Sequence, residues 1–138
     1  MAGITAYVVD ACALIAFFRD EPGGEQMEQL FSQEAEKRFL IHAVNLGEIY
    51  YDTVRTSRAA VAMELFKDIK HLPITVIWNI DEPLLIVVGR FKTQHRISYA
   101  DAYVLALAER EGAAVISADH HEFDAIEKLG VVAFKWIR

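Results

Sequence analysis

Four acids, Asp10, Glu48, Asp101 and Asp119, stand where a strand should end or a helix begin. Asp10 closes the apolar run Ala6-Tyr7-Val8-Val9, and Asp119 follows Ala113-Ala114-Val115-Ile116-Ser117 almost directly. Glu48 comes three residues after Asn45, and Asp101 three after Ser98. That spacing is close to a capping box, in which a polar cap and an acid satisfy each other's backbone N–H groups. Each acid therefore has a local reading. Asp10 caps a first helix, Glu48 and Asp101 complete capping boxes, and Asp119 makes an Asx turn. Brought to one place, the four form a catalytic, metal-binding cluster instead. Crowded carboxylates repel and need a cation. An all-oxygen acidic set suits Mg²⁺ or Mn²⁺ rather than Zn²⁺. Such ions bind a scissile phosphate, lower the pKa of a bound water and neutralise charge during phosphodiester hydrolysis.

Among the elements that must position these acids, the best marked runs from Ile97 to Gly112. Ser98 is its N-cap and Gly112 its stop. Ala100, Tyr103, Val104, Leu107 and Ala108 share one face at helical spacing, which predicts a single buried face. Asp101 falls in the first turn, where free N–H groups and the helix dipole are expected to keep it ionised. Strands are predicted at Ala6–Val9, Arg38–His42, Ile74–Trp78, Ala113–Ser117 and Val131–Trp136. Helices are predicted over Ala11–Phe18, Glu25–Glu36, Asp81 to about Thr93, and Phe123–Leu129. A helical hairpin fills Asn45–Lys70, with Asn45 as its cap and Pro73 as its end. Pro22-Gly23-Gly24 marks a turn. This alternation predicts an α/β fold, a three-layer α/β/α sandwich with a mostly parallel central sheet of about five strands. Such folds gather functional groups at the carboxyl edge of the sheet. Asp10 and Asp119 lie at the carboxyl ends of strands, and the helices bearing Glu48 and Asp101 run back antiparallel. All four acids are then expected on one rim.

Bases precede the Asp101 helix: Arg90, Lys92, His95 and Arg96. They are either a solvated helix end or contacts to phosphates flanking a cleaved bond. Arg55, Arg58, Lys67 and Lys70 on the hairpin have the same two readings. His120-His121 lacks the ligand spacing of a zinc site and reads as exposed turn histidines. Trp78 and Trp136 read as core or edge packing in strands.

At 138 residues the chain is expected to fold as one domain, residues 1–138, burying roughly 68–70% of its unfolded surface. No apolar run approaches the roughly 20 residues that span a bilayer, so no membrane role is expected. The N-terminus shows no leader pattern, and the lone Cys12 has no internal disulfide partner. Both point to the cytoplasm. A net charge of −6 at pH 7 excludes nucleic-acid binding driven by overall charge, though not by local basic patches. No repeat, low-complexity segment or linker is present.

The chain resembles a PIN-domain ribonuclease of the VapC type, the toxin of a toxin–antitoxin pair. The likeness rests on Val8-Val9-Asp10-Ala11-Cys12-Ala13-Leu14-Ile15-Ala16, Asn45-Leu46-Gly47-Glu48, Ser98-Tyr99-Ala100-Asp101-Ala102, and Ser117-Ala118-Asp119 with Phe123, in that order. It covers nearly the whole chain. The resemblance implies Mg²⁺- or Mn²⁺-dependent cleavage of RNA (tRNA or another structured RNA), a homodimer, and an antitoxin that blocks the site. Asp10, Glu48, Asp101 and Asp119 would be its acids. The opening motif departs from the family: Thr and Ser are common at positions 11 and 12, where this chain has Ala11 and Cys12. The missing hydroxyl would orient an acid; a Cys12 thiol is a weaker donor, and Ser117 is a second supporting candidate. His120-His121-Glu122-Phe123 is one residue longer than the common form. Two other functions stay open. One is a phosphatase using Asp10 as nucleophile, which the lack of an Asp-x-Asp motif disfavours. The other is a non-catalytic interaction domain that keeps the fold.

Overall fold

The computed structural model describes residues 5–138; the part of the N-terminal reading that falls on residues 1–4 lies outside the described residues. The elements run β1 (Thr5–Val9), α1 (Ala11–Phe18), α2 (Gly24–Phe31), β2 (Lys37–His42), α3 (Ala43–Thr56), α4 (Ala59–Ile69), β3 (Ile74–Ile77), α5 (Glu82–Gln94), α6 (Tyr99–Glu111), β4 (Ala114–Ser117), α7 (His120–Leu129) and β5 (Phe134–Trp136).

The strands form one sheet in the order β3-β2-β1-β4-β5, with every pairing parallel. Side chains alternate across it. Val8, Leu40 and Val115 turn to a core with Val88, Phe91, Leu105 and Phe123 of α5, α6 and α7. Val9, Phe39, Ile41 and Ile116 turn to a core with Leu14, Met27, Ile49 and Leu65 of α1 to α4. Helices cover both faces, which gives the expected three layers. The strand order reverses beside β1, so the crevice beyond the ends of β1 and β4 is the switch point where such sheets bind ligands.

Four local expectations are corrected. The second helix stops at Phe31, short of Glu36, because Ser32-Gln33-Glu34-Ala35-Glu36 has nothing to bury and turns in solvent. The third begins at Ala43, with His42 as its cap in place of Asn45. The last begins at His120, capped by Asp119, so His120 and His121 are helical. α6 is buried all round from Ala102 to Ala108 because it packs between α5, α3 and the sheet, not on one face alone. Trp78 is also misplaced: it lies just past β3 and is 68% exposed. The turn before α2 needs its glycine. Gly23 sits at φ 100°, with Ile137 against it, where a side chain would be strained.

Candidate active site

Asp10 leaves the end of β1 and caps α1, accepting the Ala13 N–H at 2.8 Å on Oδ1. Its other oxygen accepts the Ser117 hydroxyl from the end of β4. Asp10 is 3% exposed. Burial pushes its carboxyl up to about 7; the Ser117 and Ala13 hydrogen bonds pull the other way, and the charges of Asp101 and Asp119 add to the rise. Ser117 also accepts the Asp119 N–H at 2.9 Å. One buried hydroxyl thus ties the acids of β1 and β4 together. Ser117 supplies the hydroxyl absent from positions 11 and 12. Cys12 is half-buried and its thiol is pushed up to about 11, chiefly by burial and then by Asp10, so it is an inert neutral group.

Asp101 lies in the first turn of α6, where its N–H donates to Ser98 Oγ at 3.0 Å. The cap is as expected, but the ionised carboxylate is not. Burial pushes Asp101 up to about 7; Ser98 opposes this, and Glu48, Glu122 and Asp119 reinforce it. Desolvation and neighbouring acids outweigh the helix end. Glu48 stands in the second turn of α3, raised mainly by burial. Asn45, fully buried inside α3, braces it. The Asn45 amide donates to the Ala100 carbonyl at 2.9 Å and to Glu48 Oε1 at 3.4 Å, linking the helices of Glu48 and Asp101. Its Oδ1 is buried without a partner. Asp119 caps α7, accepting the Glu122 N–H at 3.2 Å.

The acids share a rim and feel one another, yet they stand apart as the side chains lie. Among the described residues, no group of three His, Cys, Asp or Glu is close enough to hold a metal ion. The donor chemistry nonetheless fits a hard divalent cation. The donors are all carboxylate oxygens, and desolvation and like charge raise two of the carboxyls to about 7.

The basic run is partly committed elsewhere. Arg90 pairs with Glu109, and Lys92 Nζ donates to the Ile97 carbonyl at 2.7 Å. His95 is half-buried near Phe91, and Arg96 is exposed. Two contributors escape sequence reasoning. Glu122 adds its charge to the rim, and the Asp119-x-x-Glu122 spacing of a capping box was the available signal. His42 caps α3, its Nδ1 accepting the Val44 N–H at 3.1 Å while Nε2 donates to the Asn79 carbonyl at 3.0 Å. Nothing in an apolar strand end marks that role.

Solved structures of similar shape share little sequence. A chain from VapBC2 of Rickettsia felis, solved bound to a DNA fragment from its promoter, superposes with TM-score 0.72 at 12% identity, covering 96% of this chain and 98% of that one. VapC20 of Mycobacterium tuberculosis, described as a sarcin-ricin-loop-cleaving toxin, gives 0.68 at 13%, covering 86% and 94%. PAE2754 of Pyrobaculum aerophilum gives 0.62 at 20%, covering 97% and 92%. At these identities the likeness is one of fold. No curated protein sequence matches the chain. Among the described residues, no helix is long and apolar enough to cross a membrane. The PIN domain matches residues 7–129, nearly the full span from β1 to the end of α7, and the chain therefore belongs to the PIN-domain family.

Proposed function

We propose that this protein is a metal-dependent endoribonuclease, the VapC-type toxin of a toxin–antitoxin pair, acting in the cytoplasm as one domain. The observation that carries the reading is the pair Asp10 and Asp101. Two desolvated carboxyls, each raised to about 7, face one rim with Glu48 and Asp119 beside them. An arrangement that unfavourable is explained by a cation it is built to receive. Asp10, Glu48, Asp101 and Asp119 would hold Mg²⁺ or Mn²⁺, which supplies charge neutralisation and water activation for phosphodiester hydrolysis. Ser117 orients Asp10 and Asn45 orients Glu48. Arg96 and His95 remain available to flanking phosphates of an RNA, tRNA or another structured one. An Asp10 nucleophile is disfavoured because position 12 is Cys12, so the chain has no Asp-x-Asp motif there.

The solved relatives are VapBC complexes among others, which supports an antitoxin partner. Its segment would lie in the groove of about 190 Å³ between α1, α3 and α4, lined by Ile15, Phe18, Val61 and Leu65. The hairpin α3–α4 would build a homodimer.

The test is cleavage of RNA with Mn²⁺, with and without chelator, beside a phosphomonoester. Wild-type protein cuts RNA only with metal and leaves the monoester intact. Asp101→Asn melts as wild type and loses cleavage by at least about 100-fold, the scale of removing a group that acts at the reacting centre. Normal cleavage by a folded Asp101→Asn protein defeats the proposal, and a folded wild-type protein that leaves every RNA intact supports the interaction-domain reading.

A further inference from the structure

The rim carries an aromatic ladder that the acids do not use. His42, fully buried, stacks on Tyr103 with ring centroids 4.8 Å apart and planes 6° apart. Tyr103, 2% exposed, meets Tyr99 edge to face at 5.1 Å, and the two hydroxyls share a hydrogen bond at 3.1 Å. Both ring nitrogens of His42 are held, one by the start of α3 and one by the Asn79 carbonyl. The ladder is therefore anchored at its inner end. Its outer member, Tyr99, is 50% exposed in the first turn of α6, two residues from Asp101.

A single exposed tyrosine is ordinary on a protein surface. This one differs because Tyr103 holds both its ring and its hydroxyl, and because it opens the helix whose first turn carries Asp101. Charge supplies the second argument. The chain carries −6 overall, and Arg90 and Lys92 are spent on Glu109 and the Ile97 carbonyl. Phosphate attraction alone is then a weak source of RNA affinity near four acids. Base stacking needs no charge, accepts any base and is strongest on a ring already held in place.

We infer that Tyr99 is a nucleobase-stacking subsite, so that an unpaired nucleotide next to the scissile phosphate is taken and a base-paired one refused. This rests on the ribonuclease reading above. A duplex offers no free base face at its flank, whereas a loop or single strand does. Tyr99 positions substrate, and the chemistry stays with the acids.

The experiment is fluorescence anisotropy with a dye-labelled single-stranded oligoribonucleotide, the same strand in a duplex, and the same strand with one abasic nucleotide. Ca²⁺ fills the acids in place of Mn²⁺, and a chelator series runs beside it. Wild-type protein binds the single strand in preference to the duplex. Tyr99→Ala weakens single-strand binding about tenfold with the salt slope unchanged, while the loss of the Tyr103 hydroxyl's partner lowers the melting temperature without unfolding the protein at the assay temperature. Tyr99→Trp restores affinity, and the abasic strand binds wild type and Tyr99→Ala alike. If Tyr99→Ala binds the single strand as wild type does, the subsite is refuted while the ribonuclease reading stands. If Tyr99→Trp is as weak as Tyr99→Ala, the ring is a structural element and the subsite is also refuted. If wild-type protein binds no RNA in Ca²⁺, Mn²⁺ or chelator, both proposals fall.

Discussion

Asp10 and Asp101 are ordinary helix-start residues by sequence and extraordinary ones by environment. Both carboxyls are raised to about 7, from burial first. A carboxyl whose folded pKa exceeds its unfolded one is protonated more readily in the folded state, so folding is favoured at low pH and loses stability as pH rises. For these two groups the window runs from the unfolded 3.8 to about 7. Metal-free protein should therefore lose melting temperature between these limits from this source, and Mn²⁺ should restore it increasingly towards pH 8. Calorimetric titration in buffers of different ionisation enthalpy should show protons released on Mn²⁺ binding near pH 6.5. Ser117→Ala removes a hydrogen bond that holds Asp10 down. It should cost roughly 1–3 kcal/mol in urea unfolding and move the pH midpoint of Mn²⁺ binding upward. A pH-independent Mn²⁺ affinity between pH 5 and 8 would count against both statements.

The element that bears Glu48 shows what sequence could and could not reveal. The spacing of Ser98, Asp101 and Gly112 marks α6 because capping is local chemistry, and the structure has both caps. Apolar alternation gives all five strands for the same reason. The start of α3 carries no local signal, since its cap is a histidine at the end of a buried strand and Asn45 is by type the better cap. Tertiary contact decided the matter: Asn45 reaches the Ala100 carbonyl of α6 and cannot serve as a cap. That no three of the acids close to ligating distance among the described residues is equally unreadable in sequence, because it depends on tertiary placement, and the strand order β3-β2-β1-β4-β5 is written nowhere in local pattern. The cap itself is testable. Burial lowers the His42 pKa below 6.5, first among its causes, so the folded state keeps it neutral. The unfolded chain binds the proton first, and stability contributed by the neutral cap is lost as pH falls below 6.5. His42→Ala should unfold at a lower urea concentration at pH 7.5, by roughly 1 kcal/mol or more, and the gap to wild type should narrow at pH 5. A gap that widens in acid would show that His42 is not a neutral cap.

Across the molecule, the two sheet edges are unlike. β5 is tied to α7 through its own Trp136, which stacks on His120 at 3.8 Å and donates to Glu127 at 2.9 Å. β3 ends the other side, and Ile74-Thr75-Val76-Ile77 carries no charge to repel a neighbour. Beside it lies a groove of about 360 Å³ lined by Leu46, Met63, Phe66, Ile69, Val76 and Trp78. The hairpin buries Leu65 and Ile69 but not all of its apolar residues. Met63 is 51% exposed, Tyr51 55%, and Val61 remains on the surface. The exposed Met63 and Trp78, grouped in this groove beside an open strand edge, support the proposed homodimer interface. Leu46 brings the groove to the start of α3, where Glu48 stands, but Met63 and Phe66 belong to α4 and carry none of the acids. Self-association and catalysis should therefore separate. Met63→Glu should shift light scattering at micromolar concentration from dimer to monomer, because a charge placed in an apolar contact is desolvated without a partner. The same variant should retain metal-dependent cleavage at low protein concentration. Wild-type protein that scatters as a monomer, with Met63→Glu indistinguishable from it, would remove the dimer. Loss of cleavage together with the dimer would mean that the second copy completes the site.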